Sequence, residues 1–222
     1  MPLPVVVLAA VGAVSAVGAV IARQWHDSRD VVVLGQRAVG KTRLVNSWLG
    51  DWSTPEPTRS PSGFTKITLS VEDREQAPPR EILLDTVTDV SGGDQGLHTV
   101  AAELGRASAV LYLLRADTLL TEERRAPGEE QGEDWERAQL DAARIGGRAT
   151  AAKRVVFVVT HTDLDPRCAR TGSQDYLDLV FGQLSDLRTA AGAPDGVRVV
   201  AGSLVDQASA TALTGEIIEN LR

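Results

Sequence analysis

The sequence predicts an α/β protein of three layers, in which a mainly parallel sheet of six strands lies between helices. Three observations support this fold class: 43% of the 222 residues are hydrophobic, six short apolar segments have strand character, and segments with helical spacing separate most of them. Strands that alternate with helices imply crossover connections, which place helices on both faces of a parallel sheet. The predicted strands are residues 30–34, 64–71, 81–85, 109–114, 154–160 and 197–201.

The predicted helices carry apolar residues along one face. This spacing is found in residues 44–52, 97–104, 135–145, 176–187 and 213–221. Residues 121–136 are acidic and contain Pro and Gly, which predicts a solvated loop.

Composition excludes several classes of function. Acidic residues outnumber basic ones by 30 to 23, which gives a net charge of −7 and argues against nucleic-acid binding. A single cysteine, Cys168, excludes a disulfide framework and a multi-cysteine zinc site. The three histidines form no His-x-x-x-His pair, which argues against a zinc hydrolase. The preference for Arg over Lys indicates a bacterial origin.

The N-terminal segment has the character of a membrane anchor. Residues 3–22 contain no charged side chain, and as a helix they would be about 30 Å long, the hydrocarbon thickness of a bilayer. A cleaved signal peptide and a buried core helix are the alternatives, but nothing basic precedes the segment and it has no polar face. Arg23 and Arg29 follow it, so the positive-inside rule predicts a single-pass cell-membrane protein with its globular part in the cytoplasm. The predicted organisation is a transmembrane helix at 3–22, a polar neck at 23–29 and one domain at 30–222.

A phosphate-binding motif follows the first predicted strand. Residues 35–42 read Gly-Gln-Arg-Ala-Val-Gly-Lys-Thr, which matches G-x-x-x-x-G-K-[ST] between a strand and an amphipathic helix. Glycines allow the backbone to wrap a phosphate, Lys41 can bridge the β- and γ-phosphates, and the Thr42 hydroxyl can bind Mg²⁺. The candidate phosphate-binding residues are Gly35, Gln36, Arg37, Ala38, Val39, Gly40, Lys41, Thr42 and Arg43, with Lys41 also the candidate catalytic cation.

Two further segments suggest which base accompanies the phosphates. The predicted strand 154–160 ends in Thr160-His161-Thr162-Asp163, and the strand 197–201 runs into Gly202-Ser203-Leu204. With the phosphate motif, these segments make the chain resemble the Ras-like and Era-like small GTPases from residue 30 to its C-terminus. Those proteins read guanine with [NT]-K-x-D after strand five and with a looser Ser-Ala-[Lys/Leu] element after strand six.

The resemblance implies a G domain of the P-loop NTPase class that binds GTP or GDP with Mg²⁺. It implies that the Asp163 carboxylate accepts from the guanine N1–H and exocyclic amine. Thr160 would replace the commoner asparagine, and His161 would stand where a lysine stem usually packs over the base. Ser203 and Leu204 would form the second base-binding element.

The magnesium-binding acid has two candidate positions. In the resembled family it begins a D-x-x-G sequence at the end of strand three. Asp85 ends the apolar segment 81–85 and is preferred, although Thr88 then replaces the glycine. In that register Asp89 takes the place of the glutamine that orients water, and we expect slow GTP hydrolysis from the added negative charge. The alternative is Asp89 itself, which Gly92 follows at the required spacing.

A threonine between the first helix and the second strand is the third metal-ligand candidate. Residues 55–61 are rich in Pro and turn-forming residues, and Thr58 lies 17 residues after Lys41. The resemblance implies that Thr58 coordinates Mg²⁺ when GTP is bound. Thr65 is the alternative, but it lies too close to the strand, at the start of the predicted segment 64–71.

These observations predict a membrane-anchored GTP-binding protein that acts as a slow GTPase switch at the cytoplasmic membrane face. The expected partners are a guanine nucleotide, the lipid bilayer through residues 3–22, and an unidentified protein effector or regulator. The alternatives are a nucleotide-binding interaction module that has lost catalysis and, less well supported, a P-loop ATPase. A membrane span before a small GTPase domain also resembles the β-subunit of the signal-recognition-particle receptor, in architecture alone.

Overall fold

A computed structural model describes residues 28–52, 62–71, 80–89, 97–119, 130–148, 153–192 and 196–221. The predicted membrane segment at residues 3–22, most of the neck and the candidate ligand Thr58 lie outside these residues. Within them, no helix combines the length and the hydropathy that a bilayer crossing requires. The strands are β1 (Ser28–Gly35), β2 (Ser62–Val71), β3 (Arg80–Asp89), β4 (Ala109–Arg115), β5 (Arg154–Thr160) and β6 (Val197–Ala201).

The described strands form one sheet in the order β2-β3-β1-β4-β5-β6. β2 pairs with β3 in an antiparallel ladder, and all other neighbours are parallel. The prediction of an α/β protein with a mainly parallel sheet is therefore confirmed. Strands β1, β4 and β5 are apolar on both faces, as expected for strands that helices cover from two sides.

Helices pack against both faces of this sheet. They are α1 (Lys41–Trp48), α2 (Leu97–Arg106), α3 (Ala116–Leu119), α4 (Glu130–Gly146), α5 (Pro166–Arg170), α6 (Ser173–Gln183), α7 (Ser185–Ala190) and α8 (Gln207–Leu221). The core on one face includes residues of α1 and α8, and the Trp48 indole donates to the Thr214 hydroxyl at 3.1 Å to join these helices. The core on the other face includes residues of α2, α4, α6 and α7.

The third strand is longer than predicted. β3 continues through Thr86, Val87 and Thr88 to Asp89, four residues beyond the predicted end at Asp85. Val87 is fully buried, and the threonines and valine are β-branched residues that favour strands. The expected boundary at residue 85 is wrong because the apolar run ends there, whereas the pairing of Thr86, Val87 and Thr88 with β2 continues the strand.

The helical predictions also need correction. α4 begins at Glu130, so residues 130–136 are helical rather than part of a loop. The predicted helix 176–187 is two helices that meet at Leu184, which ends the first helix and is the N-cap of the second, and Gly182 weakens the last turn of the first helix. The short helices α3 and α5 were not predicted, since each is less than two turns long.

Parallel pairing brings three loops to one edge of the sheet. Gly35 at the end of β1 lies beside Leu113 of β4, Arg115 of β4 lies beside Thr160, and Val159 lies beside Ala201. The segments after β1, β5 and β6 therefore emerge from the same carboxyl edge. In open α/β sheets this edge is the usual place for a ligand site.

Candidate functional site

The loop between β1 and α1 contains two residues with a left-handed backbone. Ala38 and Gly40 have positive φ values of 62° and 92°, and Gly40 caps the helix that begins at Lys41. The first helical bond runs from the Leu44 N–H to the Gly40 carbonyl at 2.8 Å, so amides 41–43 lie in the N-terminal turn. Alternating left-handed residues before a helix N-terminus form a concavity that favours an anion.

Gly35 allows this loop to lie against the sheet. Its φ is 136°, and a Cβ at this position would lie 2.4 Å from the Leu113 carbonyl oxygen. Any side chain would push the start of the loop away from β4. The glycine is therefore required by the close approach of two backbones.

The Lys41 side chain folds back over the start of the loop. Its ammonium group donates to the carbonyl oxygens of Gly35 at 2.9 Å and Gln36 at 2.5 Å, and the residue is only 8% exposed. These contacts fix a positive charge beside the amides of the loop. The arrangement suits the multiply charged oxygens of a phosphate chain.

Two other polar side chains of the motif contact neighbouring elements. The Gln36 amide donates to the backbone carbonyl of Asp134 in α4. The Arg43 guanidinium lies 5.1 Å from the Trp52 ring centroid and donates to the Trp52 carbonyl at 3.3 Å. These contacts hold the loop against α4 and the end of α1 against residue 52.

Thr160 connects the end of β5 to the loop at residues 35–42, which we call the phosphate loop after its sequence motif. It is fully buried, and its hydroxyl donates to the Val39 carbonyl at 2.8 Å, with the Leu114 carbonyl at 3.1 Å as a second acceptor. The His161 Nδ1 lies 2.9 Å from the same hydroxyl oxygen. The last residue of β5 thus fixes the loop that follows β1 against the loop that follows β5.

Asp163 is exposed, and Ser203 holds its carboxylate. The Ser203 hydroxyl donates to Asp163 Oδ1 and accepts from the Val205 N–H at 3.1 Å. The Thr162 N–H contacts the Gly202 carbonyl at 3.4 Å, which joins the two segments through their backbones as well. The segments at 160–163 and 202–204 therefore form one unit.

This unit lies directly beside the phosphate loop. A Cβ at Gly40 would be 2.9 Å from Leu204 Cδ1 and 3.7 Å from His161 Cε1. The structure thus brings together every described candidate from the three predicted segments: Gly35, Gln36, Arg37, Ala38, Val39, Gly40, Lys41, Thr42, Arg43, Thr160, His161, Asp163, Ser203 and Leu204.

His161 has a mixed electrostatic environment. Burial lowers the pKa of its imidazole, and the charge of Arg115 lowers it further, while Asp117 and Asp163 act in the opposite direction. Arg115 donates to both carboxylate oxygens of Asp117, at 3.0 and 2.7 Å. Burial opposes ionisation of Asp117, but these bonds with Arg115 hold the pKa of its carboxyl below the ordinary value.

The position of the acid on β3 contradicts the preference for Asp85. Thr86 lies beside Asp30 at the start of β1, whereas Asp89 lies beside Val33, two residues before Gly35. At about 3.3 Å per residue, Asp85 is roughly 15–20 Å along the sheet from the phosphate loop, too far to share an ion with Thr42. Asp89 is at the carboxyl end of its strand, close to the loop, so it replaces Asp85 as the better-placed candidate acid. Gly92, which would complete the motif after Asp89, lies outside the described residues.

The threonine candidates for the metal are placed differently. Thr42 lies in the first turn of α1, next to Lys41. Thr65 pairs with Thr86 in the middle of the β2–β3 ladder, whereas Ser62 is the residue opposite Asp89. Thr65 is therefore remote from the loop. Among the described residues, no group of three or more His, Cys, Asp or Glu side chains is placed to hold a metal.

A buried ionic cluster after β5 was missed from the sequence. We call Asp165, Arg167 and Tyr176 the Asp165 cluster. Arg167 and the Tyr176 hydroxyl both donate to the Asp165 carboxylate. The pair Asp165-Pro166 was the available signal, because Asp followed by Pro is typical of a helix N-cap and first helical position.

Comparison with known proteins adds no assignment to this geometry. No protein-family model matches the chain, and no curated protein matches it.

Proposed function

We propose that this chain is a guanine-nucleotide-binding protein with a G domain of the P-loop NTPase class, which binds GTP and GDP together with Mg²⁺. One observation carries the proposal. The serine-held carboxylate of Asp163 lies on a turn that the Thr160 hydroxyl fastens to the phosphate loop. A base-reading acid and an anion-binding loop at this close range suit a single nucleotide.

The phosphate part of the proposal is supported by the loop backbone. Left-handed residues precede the N-terminus of α1, an arrangement that favours an anion, and the Lys41 ammonium is held at the start of this loop by the carbonyls of Gly35 and Gln36. The backbone amides and Lys41 bind the β- and γ-phosphates through charge-assisted hydrogen bonds. Such a site binds any nucleoside di- or triphosphate, so it does not itself select the base.

Selection of guanine is supported by Asp163. An ionised carboxylate only accepts hydrogen bonds, and guanine offers it two adjacent donors, the N1–H and the exocyclic amine. Adenine offers an acceptor at N1, so its binding would leave the carboxylate poorly matched. The hydroxyl of Ser203 occupies one side of Oδ1 and restricts the rotation of the carboxylate.

The revised position of the acid changes the expectation for hydrolysis. Mg²⁺ would be held by the Thr42 hydroxyl and, through water, by Asp89, and it would neutralise charge on the phosphates. In this register Gly92 follows Asp89 at the family spacing, and Gly93 takes the position of the water-orienting glutamine. Because Gly93 has no side chain that could orient the attacking water, we still expect slow intrinsic GTP hydrolysis. The expectation no longer depends on the charge of Asp89.

The cellular setting is proposed from the sequence. The uncharged segment 3–22 anchors the chain in the cell membrane, and Arg23 and Arg29 keep the nucleotide-binding domain in the cytoplasm. A slow GTPase at a membrane acts as a switch whose nucleotide state a protein effector or regulator reads.

The nucleotide that remains bound after purification tests the proposal. The full-length protein is purified without added nucleotide, denatured, and its released nucleotides are separated by chromatography. We expect GDP or GTP in the wild-type protein and none in Lys41→Ala. Adenine nucleotides in the wild-type sample would contradict guanine selection. Single-turnover measurements with labelled GTP then distinguish a slow GTPase from a module that binds without hydrolysis.

A further inference from the structure

The Asp165 carboxylate is buried and fully engaged. It is 3% exposed, and it accepts from the Arg167 backbone N–H, Nε and Nη2 and from the Tyr176 hydroxyl, each at 3.0 Å. Burial disfavours the charged carboxylate, but the bonds from Arg167 and Tyr176 keep the pKa of Asp165 below its ordinary value. A buried carboxylate with four donors in fixed directions forms a rigid point in the fold.

This rigid point adjoins the turn that carries Asp163. The 3₁₀ helix Thr162–Leu164 is closed by bonds from the Leu164 N–H to the His161 carbonyl and from the Asp165 N–H to the Thr162 carbonyl, at 3.0 and 3.2 Å. Asp163 itself is exposed. The backbone of Asp163 therefore lies between two buried residues whose side chains are hydrogen-bonded, Thr160 before it and Asp165 after it.

The two anchors connect to different parts of the protein. Thr160 is hydrogen-bonded to the phosphate loop. Asp165 is hydrogen-bonded to Tyr176 of α6, which packs in the core on the face of the sheet that α2, α4, α6 and α7 cover. Without the Asp165 bonds, the turn would be held only by Thr160 and by its contacts with Gly202 and Ser203. A turn held at both ends has a fixed orientation, which a carboxylate needs if it is to meet two donors on one base edge.

We propose that Asp165, Arg167 and Tyr176 are positioning residues that hold the Asp163 turn in the orientation for reading guanine. This inference rests on the proposed function and extends it to residues that do not touch the nucleotide. The cluster therefore increases the binding affinity that the exocyclic amine of guanine contributes. The affinity for the phosphates depends on the loop at 35–42 and not on the cluster.

The fold contains a matched cluster for comparison. Asp141 in α4 accepts from the Tyr112 hydroxyl at 3.2 Å and from Arg144 at 2.8 Å. This cluster has the same three residue types, and it also joins a helix to the core, but none of its members belongs to the loop or turn of the site. Variants of the two clusters therefore remove similar bonds from different places.

The experiment compares four variants in the full-length protein. Tyr176→Phe and Arg167→Gln alter the Asp165 cluster, and Tyr112→Phe and Arg144→Gln alter the matched cluster. Calorimetry measures the Kd values of GDP, of ADP and of inosine diphosphate, which lacks the exocyclic amine that Asp163 would read, and thermal unfolding measures stability. We expect the preference for GDP over inosine diphosphate to fall about fivefold in the first pair and to stay within about twofold of wild type in the second.

The outcomes separate this inference from the proposed function. If the wild-type protein prefers GDP to ADP but Tyr176→Phe and Arg167→Gln keep its preference for GDP over inosine diphosphate, the Asp165 cluster is structural only and the inference is wrong. If the wild-type protein does not prefer GDP to ADP, the proposed function fails and the inference fails with it. If Tyr176→Phe does not fold, Arg167→Gln decides alone, because the Arg167 side chain is partly exposed and its loss leaves the tyrosine in place. An equal loss of preference in the matched cluster would also overturn the inference.

Discussion

The hydroxyl of Thr160 donates to the carbonyl of Val39 at 2.8 Å, across 121 residues of sequence. This bond joins the last residue of β5 to the middle of the phosphate loop. Both residues are buried, so the two groups are shielded from water. The bond therefore couples the segment that carries Asp163 to the segment that carries Lys41.

Replacement of Thr160 by Val should weaken both the fold and the site. The change keeps the shape of the side chain but leaves the buried Val39 carbonyl without this donor, which costs about 1–3 kcal/mol of unfolding free energy. Thr189→Val is the control, because the Thr189 hydroxyl donates to a carbonyl of its own helix at an exposed position. Urea unfolding measures both variants. Equal losses would show that the Thr160 bond has no special role.

Replacement of Lys41 by Met should abolish nucleotide binding. The change removes the charge-assisted bonds to the phosphates, and we expect a loss of at least about a hundredfold in affinity. Lys153→Met is the control, because the Lys153 ammonium also donates to two backbone carbonyls, those of Leu104 and Arg148, away from the loop. Calorimetry with GDP should show binding in the control only. Wild-type affinity in Lys41→Met would place the phosphates elsewhere.

Magnesium dependence should distinguish Asp89 from Asp85. Asp89 ends β3 beside Val33, whereas Asp85 lies near the start of β1. We expect Asp89→Asn to lower the gain in GTP affinity from Mg²⁺ by about tenfold or more, and Asp85→Asn to leave it within about twofold. Titration of GTP with and without Mg²⁺ measures this gain. The reverse pattern would restore the register that starts at Asp85.

Stability should fall as His161 is protonated. Because burial and Arg115 lower the pKa of His161 from its ordinary value of 6.5, the unfolded chain takes up this proton first as pH falls. The stabilising contribution is complete above the unfolded pKa and is lost as pH falls towards the lower folded pKa. Urea midpoints at about pH 7.5 and pH 5.5 should differ more in wild type than in His161→Gln. An equal pH dependence would show that His161 does not contribute to it.

Most of the sheet could be predicted from local pattern. All six strands lie where continuous apolar runs or alternation indicated them, because burial on one or both faces imposes those patterns directly. The end of β3 could not be predicted in this way. Thr86 and Thr88 are compatible with a strand or a loop, and the antiparallel pairing with β2 decides between them.

The segments at 35–42, 160–163 and 202–204 could be located from the sequence, since each is a short contiguous motif; their roles in nucleotide binding stay predictions. Their mutual contacts, such as Leu204 against Gly40, depend on strand order and are not encoded locally. The same limit applied to the Asp165 cluster. Tyr176 has an apolar helical pattern that indicates a core residue, and nothing in that pattern shows that its hydroxyl reaches Asp165.

Guanine selection by Asp163 is the central claim, and one calorimetric comparison tests it most directly. GDP and ADP are titrated into wild type, Asp163→Ala and the control Asp186→Ala, whose exposed carboxylate also has a serine neighbour. We expect wild type and the control to prefer GDP by at least about tenfold, and Asp163→Ala to lose about 1.5–3 kcal/mol of GDP affinity with no change for ADP. Equal affinities of the wild-type protein for GDP and ADP would contradict the claim.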